Sequence, residues 1–168
     1  MKTTDTTKRV VNVLSYGILI AMTVMIFYWI ITNSLEDIET IFIAIFLSAL
    51  MGANIVLSNR GRTRLAAWLV IGLMLVLNAA NIIWYGIGTT STAALLIPIA
   101  AAFIGLGLIA GGIVTGISLA VVWGTVLAQS AGQLLTEIPY QVSNLTFDAP
   151  MLTILFVFVA VITAQAKR

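Results

Sequence analysis

The sequence contains no cysteine and no histidine among its 168 residues. The chain can therefore form no disulfide and has no thiolate nucleophile, and it lacks the commonest ligands of zinc and haem iron. The Gly-x-Ser-x-Gly elbow, the paired histidines of zinc peptidases and the Gly-rich phosphate-binding loop are also missing. The sequence predicts a protein that is not an enzyme and has neither a cofactor nor a metal site.

Charge is scarce as well. Only 8% of the residues are charged and 61% are hydrophobic, whereas about 25% of the residues in an average soluble domain are charged. A soluble fold of this size cannot hide so much apolar surface, so lipid is expected to be the surrounding solvent. A nucleic-acid partner is not expected, because the basic residues form no stripe interleaved with aromatic side chains.

Apolar residues fall into six segments, each close to the roughly 20 residues that cross a hydrocarbon core. Continuous apolarity without a period of two predicts helices and excludes a barrel. The predicted fold is all-α, a single transmembrane domain (residues 1–168) built as a bundle of six transmembrane helices. The predicted helices are 10–31, 40–57, 65–85, 93–110, 112–134 and 150–164.

The eight basic residues indicate the orientation of these helices. They lie before segment one, between segments two and three, and after segment six: Lys2, Lys8, Arg9, Arg60, Arg62, Arg64, Lys167 and Arg168. Because cytoplasmic loops are enriched in Lys and Arg, both termini are expected in the cytoplasm. No charged residue lies inside any segment, which argues against a proton pump, a charge-coupled transporter or a voltage sensor.

Segment four is the least regular of the six. Pro98 cannot donate a backbone hydrogen bond and is expected to bend the helix. Gly111 and Gly112 form the only break between segments four and five, so a tight inner turn is predicted there.

Small residues recur at four-residue spacing along segment five. Residues at i and i+4 share one helix face, so the pattern predicts a continuous groove for close helix packing. Entry of a lipid, a quinone-like molecule or a partner helix is the functional alternative. The residues are Gly112, Gly116, Ala120, Gly124, Ala128 and Gly132.

Polar side chains cluster in the outer halves of segments three and five. Because the two groups lie at similar depth, they are candidates for an outward-facing ligand pocket; interhelical hydrogen bonding is the alternative. The candidate pocket residues are Asn78, Asn81, Tyr85, Gln129, Ser130 and Gln133.

Three stretches carry a resemblance to a known family: Asn59-Arg60-Gly61-Arg62 leading into 65–71, Leu96-Ile97-Pro98 through the Gly-rich run to Gly116, and Gln165 to Arg168. With them, the chain resembles bacterial membrane-integral sensor domains, the multi-helix regions that precede histidine kinase or diguanylate cyclase modules. The resemblance implies a multi-pass inner-membrane protein that passes a ligand or membrane signal to a cytoplasmic output through segment six.

Two other functions stay open. The first is a small accessory subunit of a larger membrane complex, held by the groove on segment five, and the second is a transporter or channel for a neutral solute. The expected partners are the lipid bilayer, a second copy or other membrane subunits, and a hydrophobic ligand.

Overall fold

The computed structural model describes residues 2–32, 38–88 and 90–165. These ranges are helical apart from turns and one loop, and they contain no β-strand, which agrees with the predicted all-α class. The helices are α1 (Lys2–Thr32), α2 (Ile38–Asn59), α3 (Thr63–Tyr85), α4 (Thr90–Ala94), α5 (Leu96–Gly105), α6 (Leu108–Ser130) and α7 (Ala149–Gln165), with a π-helical turn at Asn144–Asp148 before α7.

Among the residues that the structure describes, five helical stretches are long and apolar enough to cross a membrane. Each has at least 19 residues and therefore reaches roughly 28 Å or more at 1.5 Å per residue. The stretches are Asp5–Tyr28, Ile41–Asn59, Thr63–Tyr85, Leu108–Ser130 and Asn144–Gln165.

Predicted segment four differs from the other segments because it is divided into α4 and α5. The interruption follows Ala94, whose carbonyl would accept a bond from residue 98 in a regular helix, and Pro98 has no N–H to donate. This interruption is where the sequence predicted a bend. With ten residues, α5 is about 15 Å long, half of a hydrocarbon core.

The turn before α6 lies at Leu106–Gly107, and the prediction of a turn at Gly111–Gly112 was wrong. Gly107 has φ +107°, a conformation that favours glycine, and the amides of Leu106 and Gly107 both donate to the carbonyl oxygen of Ala102. The Gly-Gly pair instead continues α6, where the Gly111 amide donates to the Gly107 carbonyl at 2.9 Å.

Internal contacts divide the chain into two compact units, residues 1–70 and 71–168. In the first unit α1 packs against α2. Buried residues recur every four positions on α1 (Thr7, Val11 and Ser15), and Asn54 on α2 donates to the Ser15 hydroxyl at 3.0 Å.

The turn between α2 and α3 carries Arg60 and Arg62, with Arg64 in the first turn of α3, and is closed by a Schellman motif. The Gly61 amide donates to the Ser58 carbonyl and the Arg62 amide to the Leu57 carbonyl, both at 3.2 Å. This pattern satisfies the last carbonyls of α2 and needs a left-handed residue, which Gly61 supplies with φ +83°.

In the second unit α5 packs against α6 and α7, and α6 packs against α7. The Trp123 indole nitrogen on α6 donates to the Thr153 hydroxyl on α7 at 2.9 Å, and that hydroxyl donates to the Ala149 carbonyl at 2.8 Å. Trp123, which lies mid-segment in the sequence, therefore has a polar partner on the neighbouring helix.

Candidate functional site

The site is built where α3 and α6 end and the loop of residues 131–143 begins. After Tyr85 the chain turns at Gly86, which has φ +96° and whose amide donates to the Ile82 carbonyl. After α6 the chain turns at Gly132, with φ +69°.

The end of α6 is closed by a second Schellman motif. The Gly132 amide donates to the Gln129 carbonyl at 3.0 Å, and the Gln133 amide donates to the Ala128 carbonyl at 2.9 Å. Gly132 and Gln133 thus form the end of the helix, and the Gln133 side chain is exposed.

The loop then runs back along the end of α3. The Glu137 amide donates to the Trp84 carbonyl at 3.3 Å, and the Ile138 amide donates to the Tyr85 carbonyl at 3.0 Å. These two bonds satisfy carbonyls that no amide of α3 can reach, so the loop replaces the missing next turn of that helix.

The Gln129 side chain lies under this junction and is only 6% exposed. Its amide nitrogen donates to the Thr136 hydroxyl and, at 3.5 Å, to the Ile138 carbonyl, while the Thr136 hydroxyl also donates to that carbonyl. A Cβ on Gly86 would lie 3.1 Å from the Thr136 hydroxyl oxygen and 3.2 Å from the Gln129 amide nitrogen. We call Tyr85, Gly86, Gln129, Thr136 and Ile138 the loop clamp.

One acceptor in the loop clamp is unused. The Gln129 Oε1 atom is buried and has no hydrogen-bond partner. An unsatisfied buried polar atom costs about 1–3 kcal/mol, so a donor from a ligand or a water molecule would stabilise this position.

The other candidate pocket residues have different environments. Asn78 is half-buried and donates to the Met74 carbonyl of its own helix at 2.8 Å, whereas Asn81 and Tyr85 are exposed. Ser130 is exposed and donates to the Leu127 carbonyl at 2.9 Å. The structure brings Gln129 and the backbone of Tyr85 into the loop clamp, and it joins neither of them to Asn78, Asn81 or Ser130 through a described hydrogen bond. The six-residue pocket stays a prediction.

The small-residue stripe of α6 lies outside the buried face of the helix. The buried face carries residues such as Gly111, Thr115, Ser118, Val122 and Gln129. In the stripe, Gly112, Gly116, Ala120, Gly124 and Gly132 are exposed and Ala128 is half-buried. A Cβ on any of the stripe's four glycines would meet no atom within 4 Å outside its own local backbone. Packing of this stripe against another helix also stays a prediction.

Sequence reasoning missed Gly86, Thr136 and Ile138. Gly86 stands next to the predicted pocket residue Tyr85, and Gly86-Ile87-Gly88 is a compact turn pattern that could have marked the junction. Thr136 and Ile138 carry no such pattern, because their roles depend on the path of the loop.

The loop ends in an ordered turn that leads into α7. The Asn144 side chain is buried, and its Oδ1 accepts from the Gln141 amide at 3.1 Å, while the Asn144 amide donates to the Gln141 carbonyl at 2.9 Å. The π-helical turn Asn144–Asp148 then packs against both α6 and α7. Within the described ranges, no group of three His, Cys, Asp or Glu side chains could hold a metal ion.

Comparison with protein families, with curated proteins and with solved structures gave no match to this chain.

Proposed function

We propose that this chain is a multi-pass protein of the bacterial inner membrane that crosses the bilayer six times, with both ends in the cytoplasm. The five long apolar helices supply five crossings, and α4 with α5 supplies the sixth as an interrupted helix. Interrupted helices are tolerated at membrane depth where protein surrounds them, and most residues of α5 are buried. An even number of crossings puts all three basic clusters on one side.

The absence of native cysteine makes this topology directly testable. Single cysteines replacing Arg62, Ser143 or Gln165 can be labelled with a membrane-impermeant maleimide in intact and in opened cells. We expect Ser143→Cys to react in intact cells, and Arg62→Cys and Gln165→Cys to react only after the membrane is opened. Labelling of Arg62→Cys and Gln165→Cys from opposite sides would contradict the proposal.

Within this topology the chain acts as a signal-input module with no catalytic step of its own. The observation that carries this function is the path of residues 131–165: the loop is bonded to the ends of α3 and α6 by the loop clamp, and it continues through the π-helical turn into α7. A change at the loop clamp therefore has a continuous covalent and packed route to the end of α7. Isolated π-helical turns are frequent at functional sites, which is in keeping with such a route.

In the proposed mechanism the loop clamp shifts between two packings, a closed one that has the hydrogen bonds described above and an open one that lacks them. A ligand that donates a hydrogen bond to Gln129 Oε1 would favour the closed clamp, because it satisfies a buried acceptor that is otherwise unpaired. A preference of about 1.4 kcal/mol for one state changes the ratio of the two states tenfold. The family resemblance of the sequence supports a cytoplasmic kinase or cyclase as the output.

A reporter fusion tests the signal-input function. With a diguanylate cyclase module fused after Arg168, we expect Gln129→Leu to change cyclic dinucleotide production at least twofold, because it removes the amide that holds Thr136 and Ile138. Ser130→Ala is the matched control, since Ser130 is the next residue on α6 but bonds only its own helix. Equal cyclic dinucleotide production by the parent, Gln129→Leu and Ser130→Ala would contradict the proposed function, provided that all three insert into the membrane equally.

A second candidate function, the accessory subunit, is favoured by the exposed stripe of α6. Open space at Gly112, Gly116 and Gly124 leaves room for the backbone of a helix from another membrane subunit. Replacing Gly116 and Gly124 with Leu is expected to abolish co-purification of such a subunit, whereas Ile117→Leu on the adjacent exposed face is expected to preserve it. Intact assembly of the double variant would exclude this function.

A further inference from the structure

A cavity of about 830 Å³ lies beside the N-terminal part of α1, in the first compact unit. It is distinct from the loop clamp, which belongs to the second unit. Its lining includes Asp5, Lys8, Arg9, Asn12, Val13 and Tyr16.

These residues form one face of α1 because they recur at spacings of three and four. The face flanks the buried row that contains Val11 and Ser15. Lys8 and Asn12 are half-buried at the border between the two faces, whereas Asp5 and Arg9 are exposed.

The chemistry of the cavity changes along the helix axis. An acidic group, Asp5, comes first, and two basic groups, Lys8 and Arg9, follow within about one turn. Asn12 comes one turn later, and Val13 and Tyr16 complete the lining on the apolar side. From Asp5 to Tyr16 the face extends about 16 Å at 1.5 Å per residue.

Asn12 gives an independent indication that the cavity accepts a polar group. Its Oδ1 atom is buried and has no hydrogen-bond partner. A donor placed in the cavity would satisfy this acceptor, and an ammonium group offers three donors.

We propose that this cavity binds the headgroup of an amine-bearing phospholipid of the phosphatidylethanolamine type. Lys8 and Arg9 contact the phosphate, Asp5 and Asn12 accept hydrogen bonds from the ammonium group, and Val13 and Tyr16 contact the start of an acyl chain. The charged residues lie at the end of the apolar stretch Asp5–Tyr28, which is the depth at which phosphates of a bilayer are found.

The inference rests on the proposed membrane embedding of α1. A purely anionic headgroup would leave Asp5 facing a like charge, and a quaternary ammonium has no N–H to donate. The pairing of one acid with two basic groups therefore favours a headgroup that carries both a phosphate and a primary amine.

Spin-labelled lipids test the proposal on the full chain reconstituted in phosphatidylcholine vesicles. We expect the motionally restricted fraction to favour phosphatidylethanolamine over phosphatidylcholine by about fivefold, the magnitude of one net hydrogen bond. The double variant Lys8→Gln/Arg9→Gln is expected to lower the restricted fraction of both lipids, because both present the same phosphate. The double variant Asp5→Asn/Asn12→Leu is expected to bring the preference to unity, because only the ethanolamine lipid has N–H groups to donate. Asp5→Asn is expected to remove the preference for the ethanolamine lipid over phosphatidylglycerol.

The matched control is Arg62→Gln/Arg64→Gln, which removes the same charge from the α2–α3 turn and the start of α3; neither residue is among the described lining residues of the cavity. It is expected to retain the restricted fraction and the fivefold preference of the parent chain, as is the charge-conserving variant Lys8→Arg/Arg9→Lys. Equal losses of restricted fraction in the two Gln variants would overturn the proposal, because the effect would then be general surface charge. An unchanged restricted fraction in Lys8→Gln/Arg9→Gln, or an unchanged preference in Asp5→Asn/Asn12→Leu, would overturn it as well.

Two further measurements separate the possible failures. Displacement of the labelled lipid by inorganic phosphate in the buffer would assign the cavity to a free anion and overturn the lipid assignment. Extraction of the parent chain from membranes by alkaline carbonate would contradict the membrane embedding itself. A chain that resists extraction but shows no headgroup preference contradicts only the lipid site.

Discussion

The aromatic ring of Phe103 on α5 lies directly over Gly111 on α6. A Cβ placed on Gly111 would come within 2.4 Å of the Phe103 Cγ atom, closer than real side chains approach one another. Both residues are buried, so the ring fills the space that the missing side chain leaves. The contact lets the two helices meet closely four residues after the Gly107 turn.

Gly111→Ala is therefore expected to destabilise the α5–α6 pair by about 1–3 kcal/mol, the usual cost of overpacking a close contact. Gly112→Ala is the matched control, since the neighbouring glycine faces open space and the change should not reduce stability. Unfolding by SDS in mixed micelles measures both. A Phe103→Leu change in the Gly111→Ala background is expected to restore part of the loss, and equal stability of the two alanine variants would contradict the steric argument.

Gly61 is important for its backbone conformation and not for close packing. Its φ of +83° is left-handed, and no atom lies within 4 Å of the position that a Cβ would take. Gly61→Ala is expected to cost about 1 kcal/mol through backbone strain alone, and Gly61→Asn less, since Asn tolerates this conformation. Differential scanning calorimetry in detergent measures the effect, and a smaller loss for Ala than for Asn would be inconsistent with it.

The loop clamp predicts an energetic coupling between Gln129 and Thr136. Gln129→Leu and Thr136→Val are each expected to cost about 1 kcal/mol, and the double variant less than their sum because both changes break one network. Hydrogen exchange at the Ile138 amide, which donates to the Tyr85 carbonyl, should become faster in either variant. Ser130→Ala should leave that rate unchanged. Strict additivity with unchanged exchange at Ile138 would show that the clamp does not hold the loop.

The all-α class was predictable because long apolar runs without alternation are typical of helices, which satisfy their backbone hydrogen bonds within one segment. The place of the α5–α6 turn was not predictable, because a Gly-Gly pair has the same sequence whether it turns or lies under an aromatic ring. In the same way, four-residue spacing on α6 identified a face shared by Gly116 and Gly124 but not the direction in which that face points. Gln129 was predicted as a candidate because it is a polar residue in an apolar segment, whereas the role of Thr136 depends on a loop path that local sequence does not encode.

The buried hydrogen bond between Asn54 and Ser15 can be broken or replaced, and the two changes should differ in their cost to stability. Removing one partner leaves a buried polar group unpaired, whereas removing both partners does not. Asn54 is 3% exposed and donates to Ser15, which is fully buried, while its own Oδ1 has no partner. Ser15→Ala leaves the Asn54 amide wholly unpaired and is expected to cost about 1–3 kcal/mol. The double variant Ser15→Ala/Asn54→Leu removes both polar partners, so its free energy of unfolding is expected to lie closer to that of the parent chain than to that of Ser15→Ala. Steady-state SDS unfolding of the parent, the single variants and the double variant measures these differences, with exposed Thr23→Ala on α1 as the control for loss of a hydroxyl. A double variant less stable than Ser15→Ala would mean that the pair contributes more than it costs to bury, and that polar bonding, not apolar packing, holds α1 against α2 at this position.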